Sequence, residues 1–484
     1  MIKRKFFSLI VLGVMVLELY HYGHAQRVGE VFSLQQCIEY AIQNNLQVKQ
    51  NALQALVAQN NATQAKLNRL PNLNVGASQN FSLGYAIDPF TNQFVDQQIS
   101  SNNFSINSSI TLFNGFQVQN NIKRTTLDAQ IAKLNVEQTK NDIALNVAQL
   151  YVQILLNKEL VEAAKQQVEI TKAQLERTEK LFKVGALPEI NVIELKSQLA
   201  NNELAVVTAE NQLTLSKVQL QQALNLPISE TFDIQNIEIG EIEATPYPQS
   251  PAQIFQTAET FLPNIKAADL TIRSRDVSIA IAKGGRFPRL TLNAGSTTGY
   301  SSARTLSEFS QTLVTQQIGF LTNNPSETVS AVVPVTTRRT KDYPFSQQFY
   351  DNRSYFAGLS LNIPIFNAGQ VRNNIKNAIV QKEIAEIQAK QIRLQVRQAI
   401  EQAHTEVRTA ANTYYARKQQ VQNLQASFEV TEKRYNAGAA NVVDYNIAKL
   451  NLDRAKIDLI RAKYDYILRK KILDFYQGNS LEFK

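Results

Sequence analysis

The segment Phe182-Lys183-Val184-Gly185-Ala186-Leu187-Pro188 returns in altered form as Tyr435-Asn436-Ala437-Gly438-Ala439-Ala440, and this repetition restricts the fold more than any other feature of the sequence. At each copy a long helical pattern stops at a glycine and a second one starts within a few residues. Glycine accepts the left-handed backbone that ends a helix, and Pro188 suits the first turn of the next. Each copy therefore reads as the tip of a helical hairpin. Phe113-Asn114 precedes the first long helix and Phe366-Asn367 the second; positions 113 and 366 are 253 apart, as are Gly185 and Gly438. A spacing kept over that distance makes the chain two copies of one unit.

Composition agrees with a helical duplicate rather than with the two or three globular domains that 484 residues would otherwise suggest. Mean hydropathy is −0.24, tryptophan is absent, and the helical stretches are rich in Gln, Asn and Ala. Such residues suit long helices packed through narrow seams, not a thick core. Cys37 is the only cysteine, which excludes an intramolecular disulfide and a cysteine metal cluster, and it is expected to be buried and inert. The basic start Lys3-Arg4-Lys5, the apolar run from Phe6 to Leu17 and the Gly23-His24-Ala25 ending predict a secretory signal over 1–25. Cleavage there removes three bases and Glu18, taking the net charge from +9 to +7 and leaving His404 as the sole histidine. No later run of eighteen apolar residues exists, so any crossing of a membrane must be made by strands.

The first repeat is expected over 26–226, a linker over 227–250 and the second repeat over 251–484. Each opens with a helix, over 33–69 from a Ser33 cap and over 251–286, closed by Pro71 and Pro288. Two alternating segments follow in each. Phe104, Ile106, Ser108, Ile110 and Leu112 alternate with Ser105, Asn107, Ser109 and Thr111, a membrane-barrel pattern. Leu359, Leu361, Ile363 and Ile365 alternate with Ser360, Asn362 and Pro364 in the second repeat. Between its strands lies a polar stretch, 297–353, read as an exposed extracellular loop. Long helices are predicted from about Gln117 to Lys183 and from about Gln370 to Asn436, with seams at Val147, Ile154, Val161 and Val168 and at Ile400, Val407, Tyr414 and Val421. Each would be about 100 Å long. Four strands and two helical hairpins make up the expected inventory.

Four strands cannot close a barrel, and open edges are not tolerated in lipid, so membrane strands force association. Two chains would give about eight strands, a barrel filled by its own side chains; three would give about twelve, wide enough for a pore. The helices carry Lys, Arg, Glu and Gln on their outer faces and must project into water.

The duplicated layout, the Val184-Gly185-Ala186-Leu187 and Gly438 tips, and the run Arg434-Tyr435-Asn436-Ala437-Gly438-Ala439-Ala440-Asn441-Val442-Val443-Asp444 resemble the TolC-type outer-membrane efflux and secretion ducts. The resemblance spans essentially the whole chain after residue 25. It implies an α plus membrane-β fold, a homotrimer with a twelve-stranded β-barrel in the outer membrane and a periplasmic α-helical barrel. It further implies partners: a periplasmic adaptor protein docked on the tips (Val184, Gly185, Ala186, Leu187, Gly438, Ala439), an inner-membrane transporter, and outer-membrane lipid. No cofactor, metal or nucleic acid is implied.

Asp444 matches the position where the family places an aspartate that narrows the closed end. Three copies would form an acidic ring favouring cations; the alternative is a solvated helix-start acid complementing the dipole. The first-half equivalent of Asp444 is Asn191, and Ala440 and Ile447 stand where the family often has an arginine and a second aspartate. Glu189 and Glu194 lie near the first tip as substitute charges. No catalytic nucleophile, relay or metal set is recognisable. The reading is a passive exit duct; a barrel-anchored coiled-coil structural or adhesion protein, or a stand-alone porin, are the alternatives.

Overall fold

The computed structural model describes residues 31–87, 92–96, 98–237 and 247–481. The expected signal sequence, a polar loop expected near Asp88-Pro89 between the strands of the first repeat, and residues 238–246 of the expected linker lie outside the described residues. In chain order the elements are β1 (Val31–Phe32), α1 (Leu34–Asn44), α2 (Leu46–Leu67), β2 (Asn72–Ser82), β3 (Tyr85–Ile87), β4 (Phe94–Asp96), β5 (Ile99–Phe113), α3 (Gln117–Lys183) and α4 (Glu189–Leu224). There follow β6 (Asp233–Ile234), α5 (Pro251–Phe261), α6 (Pro263–Gly284), β7 (Arg289–Ser301), β8 (Thr305–Leu321), β9 (Asn324–Asp342), α7 (Phe345–Asp351), β10 (Ser354–Asn362), α8 (Gln370–Asn436) and α9 (Val442–Tyr476).

Three helices of the first repeat have counterparts of equal length in the second. α3 and α8 both contain 67 residues and are offset by 253 at each end. α1 and α5 both contain 11 and α2 and α6 both contain 22, offset by 217. The two offsets differ by 36 residues, and this surplus lies between β7 and β10, where β8 and β9 form a long antiparallel ribbon. The stretch 297–353 is therefore not a loop: β7 runs on to Ser301, the ribbon follows, and α7 leads into β10. The expected strand at 359–365 is displaced toward the N-terminus because Pro364 has no N–H for a ladder, and β10 ends at Asn362.

Two further expectations change. The opening helix of each repeat is broken once. At Asn45 the backbone is extended and the side chain accepts from the N–H groups of Gln47 (2.8 Å) and Val48 (3.3 Å), ending one helix and capping the next. At Leu262 the following Pro263 holds the residue out of the helical region. The expected linker contains β6, which pairs in parallel with β1, and Phe232 and Ile234 are core residues. Strands thus exceed the expected four among the described residues.

The chain divides into two compact units, each drawing on both repeats. The helical unit comprises the described residues up to Gln59, Leu127–Arg273 and Glu383 onward. It holds one core per repeat. The first joins Cys37 and Ala41 of α1, Val147, Tyr151 and Ile154 of α3, Leu220 and Leu224 of α4, and Ile234. The second joins Ile254 and Ala258 of α5 to Ile400 and Val407 of α8. Val147 and Ile400, and Ile154 and Val407, are the paired seam positions 253 apart, all fully buried. α9 serves both cores, giving Tyr464 and Ile467 to the first and Ala462, Tyr466 and Leu473 to the second.

The strand unit comprises Asn60–Thr126 and Ser274–Lys382. Its four-stranded antiparallel sheet has the order β10-β7-β5-β2, with β2 and β10 as edges. Register sorts the side chains into a mainly apolar face, which also holds Ser108, Ser296 and Thr298, and a polar one. One face carries Leu73 and Val75, Phe104, Ile106 and Ile110, Leu292 and Ala294, and Leu359 and Leu361; Val75 is 76% and Leu359 67% exposed. The other carries Asn74 and Ser78, Ser105, Asn107 and Ser109, Asn293 and Thr297, and Ser360 and Asn362. Phe356 is the aromatic on this polar face, and its ring lies over Gly295, where a Cβ would meet ring atoms at 2.8 Å and the Ile106 carbonyl at 2.6 Å. Only glycine fits there. No described helix is long and apolar enough to cross a membrane.

Candidate functional site

Both hairpin tips close by the same device. Gly185 (φ 78°) and Gly438 (φ 74°) are left-handed. At the first tip Gly185 N–H donates to the Phe182 carbonyl (2.8 Å) and Ala186 N–H to that of Leu181 (2.9 Å); at the second, Gly438 donates to Tyr435 (3.0 Å) and Ala439 to Arg434 (2.8 Å). These are paired Schellman bonds that satisfy the last helical carbonyls. Neither glycine has an atom within 4 Å of a built Cβ, so the requirement is conformational and not steric.

The returning helices start differently. Pro188 occupies the cap of α4 and makes no side-chain bond, with Glu189 following as the first helical residue. Asn441 caps α9, its Oδ1 accepting from the Asp444 N–H. Asp444 is exposed in the first turn, where a carboxylate complements the partial positive charge of the helix end. Its counterpart Asn191 is buried. Glu189 is exposed, while Glu194 is half-buried with Oε2 shielded and unpaired within the chain. Among the described residues no group of acids, histidines and cysteine could hold a metal ion.

What lies between the tips was not foreseen. Tyr445 is buried against Phe428 (5.3 Å between ring centres) and Tyr435 (5.0 Å), and its hydroxyl is hydrogen-bonded by Gln174 of the first hairpin. Burial raises the Tyr435 hydroxyl above its usual range; Arg177 opposes the shift and Glu194 adds to it. Four residues beyond Tyr445, on the same stripe, Lys449 is also buried. Burial lowers its ammonium pKa against the opposing charges of Asp453 and Glu432. Burial likewise raises the Asp453 carboxyl, with Lys449 opposing. A charge on the stripe 445-449-452-455 was the available signal, since the other three positions are Tyr, Leu and Ala. Around the tips, Val184 (77%), Ile190, Ile193, Val443 and Ile447 remain exposed.

The sequence profile of a family described as Outer membrane efflux protein matches residues 37–226 and 255–479, most of each repeat. The chain belongs to the outer membrane efflux protein family. Membership places it in the outer membrane, with its helical portion in the periplasm, as the sequence led us to expect. The outer membrane protein TolC of Escherichia coli (strain K12) is 22% identical over 451 residues, 92% of this chain and 81% of TolC. The outer membrane protein VceC of Vibrio cholerae superposes with a TM-score of 0.71 at 16% identity, covering 93% of this chain and 97% of VceC. CmeC of Campylobacter jejuni, an outer membrane channel, gives 0.69 at 16% identity, over 93% of this chain and 87% of CmeC. These likenesses show a fold common to this efflux protein and outer-membrane channels.

Proposed function

We propose that three copies of this chain form a passive exit duct, with a twelve-stranded barrel in the outer membrane and the helices enclosing a periplasmic conduit that receives cargo through an adaptor and an inner-membrane pump. One observation carries the reading: the chain already contains the junction it would need to repeat between copies. In mid-sheet, β5 of the first repeat pairs with β7 of the second. By the duplication β10 is the counterpart of β5 and β2 that of β7, and these are the two open edges. A second copy's β2 therefore fits β10 as β7 fits β5. The mid-sheet pair Asn107 and Gly295 becomes Ser360 and Ser78 between copies, both on the polar face.

The helices support the same closure. Leu127, Ile131 and Leu134 on α3 are half-buried within the chain. Their counterparts on α8, Val380, Ile384 and Ile387, are exposed, as are Leu46, Leu53, Leu56 and Val57 on α2. Apolar stripes of this kind on helices require cover, which neighbouring copies supply. Closure would turn the apolar face to lipid and the Ser, Asn and Thr face to a wet lumen. Phenylalanines flank that apolar face at both ends, Phe113 and Phe116 at the inner rim and Phe81 and Phe104 toward the outer. The nine residue steps from Phe104 to Phe113 span about 30 Å along the strand, or about 23 Å across a bilayer at a tilt near 40°.

The tips are the proposed adaptor surface. Val184, Gly185, Ala186 and Leu187 of the first and Gly438 and Ala439 of the second lie beside the exposed Ile190, Ile193, Val443 and Ile447. In a trimer the exposed Asp444 would be present three times, with Glu189 and Glu194 as further acids at the aperture. Single-channel recording in planar bilayers tests the reading. Purified trimers should give a low, cation-selective conductance; folded trimers that conduct nothing would overturn it.

A further inference from the structure

We propose that α7 and its flanks form an interfacial anchor that lies on the lipid side of the sheet and seats in the headgroup layer of the outer leaflet. The inference rests on the barrel reading above and adds a lipid-contact site where the sequence suggested only a solvent-exposed loop.

The helix is fixed, not draped. Seven residues cannot hold a helix alone, and here side chains bind it to the outer end of β7. Gln348 is fully buried; its Oε1 accepts from the Ser301 N–H (3.0 Å), and its Nε2 donates to the carbonyls of Ser301 (3.0 Å) and Tyr343 (2.7 Å). Thr298 Oγ1 donates to the Phe349 carbonyl and Asn352 Nδ2 to that of Gly299, each at 2.7 Å.

Register decides which side of the sheet it covers. Phe345 and Phe349 pack on Phe104 with ring centres 6.2 and 5.6 Å away, and Phe345 also on Tyr300 at 5.5 Å. Phe104 pairs with Thr298, and Tyr300 with Asn102, which puts both rings on the face of Ile106 and Leu359. α7 therefore lies outside the lumen.

Its outward side has the chemistry of a membrane interface. Tyr350 is 62% exposed, and Tyr355, on the same face of the sheet as Leu359, is exposed as well. The Arg353 guanidinium stands 4.4 Å from the Tyr350 ring and that of Arg304 5.2 Å from the Tyr343 ring. Aromatic rings with a polar tip, joined to arginines at the end of an apolar band, match the boundary where acyl chains meet phosphates.

The absence of tryptophan makes the test direct. Single-tryptophan proteins carrying Tyr350→Trp, Leu359→Trp or Phe356→Trp are reconstituted in phosphatidylcholine vesicles containing phosphatidylcholine brominated at shallow or deep acyl positions. Tyr350→Trp should show blue-shifted emission quenched most by the shallow bromines, Leu359→Trp should be quenched most by deep ones, and Phe356→Trp should escape both. Adding Gln348→Ala to Tyr350→Trp should shift its emission to the red and reduce the shallow quenching. An unquenched Tyr350→Trp beside a quenched Leu359→Trp overturns the anchor and leaves the barrel standing. If neither is quenched, or if Phe356→Trp is quenched instead, the barrel reading falls and the anchor with it.

Discussion

The side-chain oxygen of Asn441 accepts a hydrogen bond of 2.8 Å from the backbone N–H of Asp444, so the residue proposed to narrow the duct is held by the residue that starts its helix. The first tip has no such bond, because Pro188 occupies the equivalent place. Asn441→Ala should therefore cost about 1 kcal/mol at the second tip alone. Hydrogen exchange is the suitable readout: amides over 437–450 should exchange about fivefold faster, while those over 184–197 stay unchanged.

Asp444→Asn keeps the cap, since the bond is to the backbone, and removes the charge. In trimers it deletes three exposed carboxylates from the aperture. Cation selectivity should fall and conductance rise in planar bilayers. Identical traces from the natural and variant proteins would leave Asp444 as a helix-start acid that complements the dipole and does nothing for the pore.

Gly185 and Gly438 have open space around them but a left-handed backbone. Replacing either with alanine should cost about 1–2 kcal/mol, because only the conformation is penalised; asparagine, which tolerates that region better, should cost less. Thermal unfolding of detergent-solubilised trimers would rank the variants, and equal losses for alanine and asparagine would contradict the conformational account.

Cys37 is buried in the first core and its thiol is pushed up to about 12 by that burial, from 9.0. The thiolate available for alkylation at pH 8 should thus be about a thousandfold scarcer than in the unfolded chain. The folded pKa is the higher one, so this group's stabilisation is fully present below pH 9.0 and is lost as pH rises from there toward 12. Maleimide labelling should be negligible in folded protein and rapid in denaturant; fast labelling of the native form would show that the helical core opens.

Much of this architecture can be read from the residues because it repeats and because its punctuation is chemical. Gly185, Gly438 and Pro188 mark the tips, and Ser-Asn-Thr alternation against Ile, Leu and Phe marks two-sided strands. The long ribbon is hidden for a physical reason: it stands with both faces in solvent, so Leu313-Val314 and Val332-Val333 place apolar residues on opposite faces and erase the two-residue period. The break at Asn45 carries neither proline nor glycine, and only its side-chain bonds to Gln47 and Val48 reveal it. At the tips, Asp444 and Glu189 were legible as helix-start acids, whereas the burial of Lys449 and the shielding of Glu194 depend on how two hairpins 250 residues apart in sequence pack together.

Closure between copies is the claim on which the duct depends, and an inter-chain disulfide tests it most directly. Ser78→Cys with Ser360→Cys pairs the two edge strands in the register copied from Asn107 and Gly295. Ser78→Cys with Asn362→Cys moves the partner two residues along, to about 7–8 Å, beyond the reach of an unstrained disulfide. Mild oxidation should convert the first pair to covalent trimers and leave the second largely monomeric on denaturing gels. Monomers from both, or equal cross-linking of both, would contradict a barrel closed by β2 on β10.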